Sequence, residues 1–127
     1  MVSRWDMQIN SYKDLTVWQK AMDLADAVHR LSRSFPREEI YGLTSQIRRA
    51  AVSVPSNIAE GQARQSTAEF RNFLSISQGS LAEVETQLLL AIRFEYLTPP
   101  QAVVALSLRE EISKMLTSLR AKLSTVH

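Results

Sequence analysis

No cysteine occurs in this 127-residue sequence, and glycine and proline are scarce, at three and four residues. The absence of cysteine removes a disulfide framework, a thiolate metal site and a cysteine nucleophile together. It also suits a reducing compartment. Scarce glycine and proline mean few turns and few breaks. Gly42, Gly61 and Gly79 stand too far apart to form a phosphate-cradling loop. Aromatic residues are only 7% of the chain, so no ladder of rings is present for stacking nucleic-acid bases.

Long apolar runs are missing too. The longest are short stretches such as "LLLAI" from Leu88 to Ile92, against the roughly 20 residues a membrane-spanning helix requires. The opening "MVSRWDMQINSYKD" has no apolar core of a leader and no small-residue cleavage pattern. The expectation is a cytoplasmic protein with no membrane partner. Charge of one sign is not in excess, with 15 Lys and Arg against 13 Asp and Glu, a net +2. A pI near 9.2 is mildly basic. It does not repel nucleic acid, but it is no basic stripe either.

Within these bounds there is material for one domain. A chain of 127 residues can bury roughly two-thirds of its unfolded surface, and 45% hydrophobic with 22% charged residues is ordinary for a globular protein. Residues 1–13 carry no sustained pattern and are expected to form a loosely ordered arm, with Trp5, Met7 and Ile9 available to dock. Residues 14–127 then form a single domain.

Helical periodicity runs through that domain. The first helix is expected from Thr16, with Thr16 and Gln19 at capping-box spacing. Its stripe is Trp18, Met22, Ala25, Val28 and Leu31 or Ser32. Pro36 interrupts it. The second helix is expected from Tyr41 to Gly61, with Gly61 as the stop. The third opens on Ser66 and Glu69, another capping box. Its seam of Phe70, Phe73/Leu74, Ser77, Leu81, Val84, Leu88 and Ala91 is heptad-like and about 25 residues long. The fourth opens on Thr98, Pro99 and Gln101 and carries Val103, Leu106, Ile112, Met115/Leu116, Leu119 and Leu123. No segment alternates with period two. Short connections favour antiparallel neighbours. The fold class is all-α, an up-down-up-down antiparallel four-helix bundle. A long helical hairpin completing its core by dimerisation is the alternative.

Chemistry is hard to find. A carboxylate-bridged di-iron centre needs two Glu-x-x-His motifs. The only histidines are His29 and His127, and neither follows a glutamate by three, so Asp26 and His29 remain a lone pair on a helix face. Serine-rich "LSISQGS" has no histidine beside it. No catalytic residue, metal ligand or cofactor is assigned.

The second helix is unusual. Pro55 lies inside an apolar spacing of Ile47, Ala50, Ala51, Val54 and Ile58 that continues across it. A proline there removes a hydrogen bond and costs about 3 kcal/mol in a helix interior. It is expected to kink the helix and to free the Ala51 carbonyl for Ser56, Asn57, water or a partner. Opposite the apolar stripe runs a polar one, Gln46, Arg49, Ser53, Ser56/Asn57, Glu60 and Arg64, with Arg48 beside it. An exposed helix face usually favours Lys, Glu, Gln and Ala over Ser, Asn and Pro. Gln46, Arg48, Arg49, Asn57 and Arg64 are therefore the candidate contacts for nucleic acid or another partner.

The segments "DLTVWQKAMDLA", "FPREEIYGLTSQIRRAAVSVPSNIAEGQAR", "STAEFRNFLSISQGSLAEVETQLLLA" and "YLT" resemble the bacterial four-helix bundle proteins known as 23S rRNA intervening-sequence proteins, from about Tyr12 to Leu123. The resemblance implies a bundle that assembles as a pentamer. Some members are encoded within sequences that interrupt large-subunit rRNA genes. A distant relative, the accessory variability determinant of diversity-generating retroelements, works beside a reverse transcriptase and binds nucleic acid. The family brings no established reaction and no agreed catalytic residues. In "EGQARQS" only Arg64 stands where relatives often carry a glycine-rich, more basic turn.

Two readings follow. One is a non-enzymatic homo-oligomer that binds RNA or DNA weakly through helix-2 arginines, multiplied by symmetry. The other is a structural or protein-interaction module whose helix-2 polar stripe is buried between subunits.

Overall fold

The computed structural model describes residues 11–124. The arm expected over residues 1–13, with Trp5, Met7 and Ile9, lies outside these residues except for its last three. Tyr12–Asp14 form a 3-10 turn, and the Tyr12 ring meets the edge of Trp18 at 5.1 Å between centroids.

Four helices follow, α1 (Thr16–Ser32), α2 (Leu43–Gln62), α3 (Thr67–Arg93) and α4 (Pro99–Leu123). No strand is present among the described residues. Each helix packs on its neighbours in the chain, and α1 closes the ring on α4. Paired residues give the directions. Ser53, Val54 and Gly61 of α2 face Ser80, Ser77 and Phe73 of α3. Gln78 and Glu85 of α3 face Ser113 and Arg109 of α4. Numbering rises on one helix while it falls on the other, so both pairs are antiparallel. This is a four-helix bundle whose core closes within one chain, without the dimerised hairpin.

The core is built from one stripe per helix. Leu24, Val28, Ile47, Val54, Ile58, Phe70, Leu74, Leu81, Leu88, Ile112, Leu116 and Leu123 are all buried within it. On α3 the expected seam is buried except for half-buried Phe73, and Ser80 and Gln87 join it. In the first turns of α1 and α4 the stripe is displaced from the one expected, whereas Val28, Ser32, Ile112, Leu116, Leu119 and Leu123 are buried as expected. Val17, Ala21 and Leu24 are buried in α1 while Met22 is 46% exposed. Ala102 and Ala105 are buried in α4 while Val103 is 55% exposed. Small alanines sit where helices approach, and the larger side chains beside them are turned outward.

Caps explain most boundaries. Thr98 and Gln101 form a reciprocal capping box, with Thr98 N–H donating to Gln101 Oε1 at 2.8 Å and Pro99 starting the helix. Ser66 Oγ accepts from the Glu69 N–H at 3.1 Å. The expected Thr16–Gln19 box is absent. Leu15 occupies the cap position without a side-chain bond, and the Gln19 amide instead donates to the Lys13 carbonyl at 2.9 Å. Helix α2 begins two residues later than expected because Glu39 caps it from the preceding turn, its Oε1 accepting from the Leu43 N–H at 3.0 Å. The other carboxylate oxygen accepts from Tyr96 Oη at 2.7 Å, tying the α1–α2 loop to the α3–α4 loop.

Gly61 is not a helix stop. It is buried in the last turn of α2, which continues to Gln62 and ends with Ala63 in a right-handed conformation. Its role is close approach to α3.

A polar interface between the second and third helices

Helix α2 runs unbroken through Pro55, which is buried. No side chain of the described residues donates to the Ala51 carbonyl that Pro55 leaves without its usual partner. The Asn57 amide, one donor expected there, bonds Ser53 instead, at both its carbonyl oxygen and its hydroxyl, 2.8 Å each. That bond pattern is typical of a polar side chain folding back on its own helix.

The small polar residues of α2 serve contact with α3. Ser53 Oγ lies 2.8 Å from Ser80 Oγ, and the buried Ser77 hydroxyl donates to the Val54 carbonyl at 3.0 Å. Part of the stripe that looked solvent-facing in sequence thus lies against another helix of the same chain.

The structure distributes the candidate arginines over three environments. Arg48 is half-buried, its Nε donating to Ser32 Oγ at 2.7 Å on the α1 side. Arg64 lies at the α2–α3 turn, 2.9 Å from Glu60 and 4.0 Å from Glu69, with its guanidinium 4.8 Å from the centre of the Phe73 ring. Arg49 is exposed and makes no ion pair with another described residue. It shares with Gln46 a groove of about 400 Å³ between α2 and α3, closed by Ala50, Ser53, Ser80, Glu83 and Gln87. Of the five candidates, the groove brings together only Gln46 and Arg49.

Three groove residues on α3 were not singled out from sequence. Ser80 and Gln87 are buried polar residues flanking an otherwise apolar seam, and that interruption was the available signal. Gln87 is 8% exposed, and its buried Oε1 has no hydrogen-bond donor. An unpaired buried amide oxygen costs about 1–3 kcal/mol. Glu83 is exposed at the rim and forms no ion pair among the described residues. The groove therefore offers a cation, an anion and a desolvated acceptor that do not satisfy one another.

Elsewhere the acidic residues are engaged or dispersed. Asp26 pairs with Arg30 at 3.0 Å, and Glu85 and Glu110 share Arg109 at 3.3 and 3.1 Å. No group of three or more His, Cys, Asp or Glu residues able to hold a metal occurs among the described residues. No helix among them is long and apolar enough to cross a membrane.

The fold and its polar α2–α3 seam define a small antiparallel four-helix bundle protein. The chain belongs to the 23S rRNA-intervening sequence protein family, whose sequence profile matches residues 13–118. It is similar to a crystal structure of a protein of unknown function from the S23 ribosomal protein family of Bacteroides thetaiotaomicron. The two share 31% identity with a TM-score of 0.77, covering 83% of this chain and 98% of that one. No curated protein matches the chain.

Proposed function

We infer that this chain is a non-enzymatic, homo-oligomeric bundle protein in which the α2–α3 groove is a contact surface between subunits. The observation that carries this reading is the buried, donor-less Gln87 oxygen beside unpaired Arg49 and Glu83. A neighbouring subunit supplying a donor to Gln87 removes the cost of that unpaired oxygen, and opposite charges set against exposed Arg49 and Glu83 offset their desolvation on contact. Exposed Val52 and Ile76, on the same two helices, provide apolar area for such a contact. The family resemblance supports a pentamer as the form of that oligomer.

Light scattering at micromolar concentration tests it. The expected mass is five times the 14.4 kDa chain, and Glu83→Arg together with Val52→Lys shifts the population toward monomer. A wild type that is monomeric removes the reading.

A second reading, weak binding of RNA or DNA through helix 2, is favoured by the unpaired Arg49 and by the family's link to rRNA genes. Arg48 and Arg64 enter it only by leaving Ser32 and Glu60. A fluorescence-anisotropy titration with structured RNA at two salt concentrations compares wild type with the Arg48→Ala/Arg49→Ala/Arg64→Ala variant. The expected affinity is low and falls with salt. Equal affinity in a variant that still assembles excludes these residues from the interface.

A further inference from the structure

On the opposite side of α3, Arg71 of this helix and Arg120 of α4 line one cleft of about 210 Å³, together with Ala68, Asn72 and Ser75. None of these residues is acidic. Arg30, Arg64 and Arg109 meet carboxylates within 4.0 Å, whereas Arg71 and Arg120, like exposed Arg49, meet none among the described residues. The Nε atoms of both are buried and have no acceptor. The same is true of Arg109 Nε, but its terminal Nη2 reaches both Glu85 and Glu110.

Physical chemistry makes this arrangement expensive. A guanidinium does not lose its proton in proteins, so two that line one cleft repel. Each also holds an N–H away from water with nothing to accept it, a cost of about 1–3 kcal/mol for a polar group. An oxyanion seated between the two planar forks would cancel the repulsion and accept from both.

The framework around the cleft is fixed. Phe70 and Leu74 are fully buried on the core side of α3. Farther along the same pair of helices, Gln78 bridges to α4. Its amide donates to the Ser113 carbonyl at 2.9 Å and accepts from the Ser113 hydroxyl at 3.0 Å. The separation of the helices that carry Arg71 and Arg120 is therefore set before any ligand arrives, which lowers the ordering cost of binding.

We propose that the Arg71–Arg120 cleft is an oxyanion site that binds a phosphate group. A carboxylate carries one charge and about four acceptor sites in a single plane, fewer than two guanidinium forks with the Asn72 amide and Ser75 hydroxyl beside them can fill. A phosphate presents more acceptors and up to two charges. The group can come from the backbone of a nucleic acid or from a free phosphate or nucleotide. The site uses α3 and α4, and it stands independently of both readings of helix 2.

The test uses the full chain at constant ionic strength, with thermal unfolding followed against inorganic phosphate. Phosphate also stabilises proteins generally by exclusion from their surface, so the readout is the difference between wild type and variants. Wild type is expected to show a saturable rise in Tm that Arg71→Gln and Arg120→Gln each reduce and the double variant abolishes. Arg71→Lys, which keeps the charge but loses the fork, should fall between. Acetate at equal ionic strength should produce no such rise.

A second arm titrates short single-stranded RNA. If the natural source is a phosphodiester backbone, the double variant loses RNA affinity, and its salt slope becomes shallower by about 1 per arginine removed. A phosphate response lost in the double variant while RNA binding is unchanged assigns the site to a free phosphate group. A wild type with no saturable response to phosphate or RNA overturns the proposal. So does a double variant that responds to both as the wild type does.

Discussion

Gly61 lies so close to Phe73 that a Cβ placed on it would stand 2.6 Å from the Phe73 Cβ and 3.3 Å from the Phe70 carbonyl oxygen. Neither neighbour is the far end of a flexible side chain, so a methyl group here must push α2 and α3 apart. At Gly79, midway along α3, a Cβ would have no neighbour within 4 Å beyond its own stretch of helix. The two glycines therefore respond oppositely to one substitution. Gly61→Ala should destabilise by about 1–3 kcal/mol through overpacking, despite its gain in helix propensity. Gly79→Ala should stabilise by about 1 kcal/mol, since only backbone freedom is at stake. Urea unfolding of both variants checks the signs, and destabilisation by Gly79→Ala would show that its surface is covered.

The end of α3 carries a strained residue. Glu95 has φ of 64°, in the left-handed region. The Tyr96 N–H donates back to the Ala91 carbonyl at 2.8 Å and the Glu95 N–H to the Ile92 carbonyl at 3.0 Å. Those two bonds define the helix stop in which glycine is the usual residue. Glu95→Gly should raise stability by about 0.5–1 kcal/mol, the relief of the Cβ clash exceeding the extra freedom of the unfolded chain. Glu95→Val should lower it, because a β-branched residue tolerates this conformation least.

The bond from Tyr96 to Glu39 predicts a pH window. Donation from the Tyr96 hydroxyl, then from the Leu43 N–H, holds the Glu39 carboxyl below its ordinary value of 4.5. The same bond, with burial and the nearby Glu39 and Glu38 charges, raises the Tyr96 phenol above 10.0. A depressed carboxyl contributes stability above its unfolded value and loses it as pH falls through the folded one. A raised phenol contributes below its unfolded value and loses it as pH rises through the folded one. The Tm difference between wild type and Tyr96→Phe should therefore be flat through neutral pH. It should shrink as pH drops below 4.5 or climbs above 10. Tyr96→Phe keeps the ring contacts with Phe35 and Phe94, so the difference isolates the hydroxyl.

Features written in neighbouring residues were legible from sequence. Thr98, Pro99 and Gln101 cap α4 through reciprocal bonds between residues three apart, and Ser66 caps α3 through one such bond, without the return bond from Glu69 that a full box has. The first half of the α1 stripe falls one position from its expected place, because Trp18 and Met22 look more like core than Val17 and Ala21 do, while Val28 and Ser32 are buried as expected. Close helix packing selects the smaller set, and that depends on where α4 lies. The same limit applied to the candidate contacts. Arg48 and Asn57 were recognisable as unusual, but Ser32 and Ser53 as their partners depend on the direction each side chain takes from the helix. Arg71 and Arg120 belong to helices separated in sequence, and only antiparallel packing brings them to one cleft.

Pro55 is the feature that sequence raised and the fold explains only in part. The helix continues through it, and its ring is buried. Next to it, Ser77 donates to the Val54 carbonyl, so α3 holds the backbone at the point where α2 lacks a hydrogen bond. Pro55→Ala restores a donor for the Ala51 carbonyl and removes a helix-interior penalty of about 3 kcal/mol, while it opens a small gap where the ring packed. Helix content by circular dichroism should be unchanged, and the stability of the isolated chain should rise. If the proline serves assembly, the same variant should associate less well, with a light-scattering mass that falls on dilution sooner than that of wild type. Comparing Pro55→Ala with Ser77→Ala separates the two roles. Ser77→Ala removes only the bond to Val54 and should lower stability by about 0.5–1.5 kcal/mol without altering assembly. A Pro55→Ala variant that is more stable and equally assembled would leave the proline with no role in the oligomer.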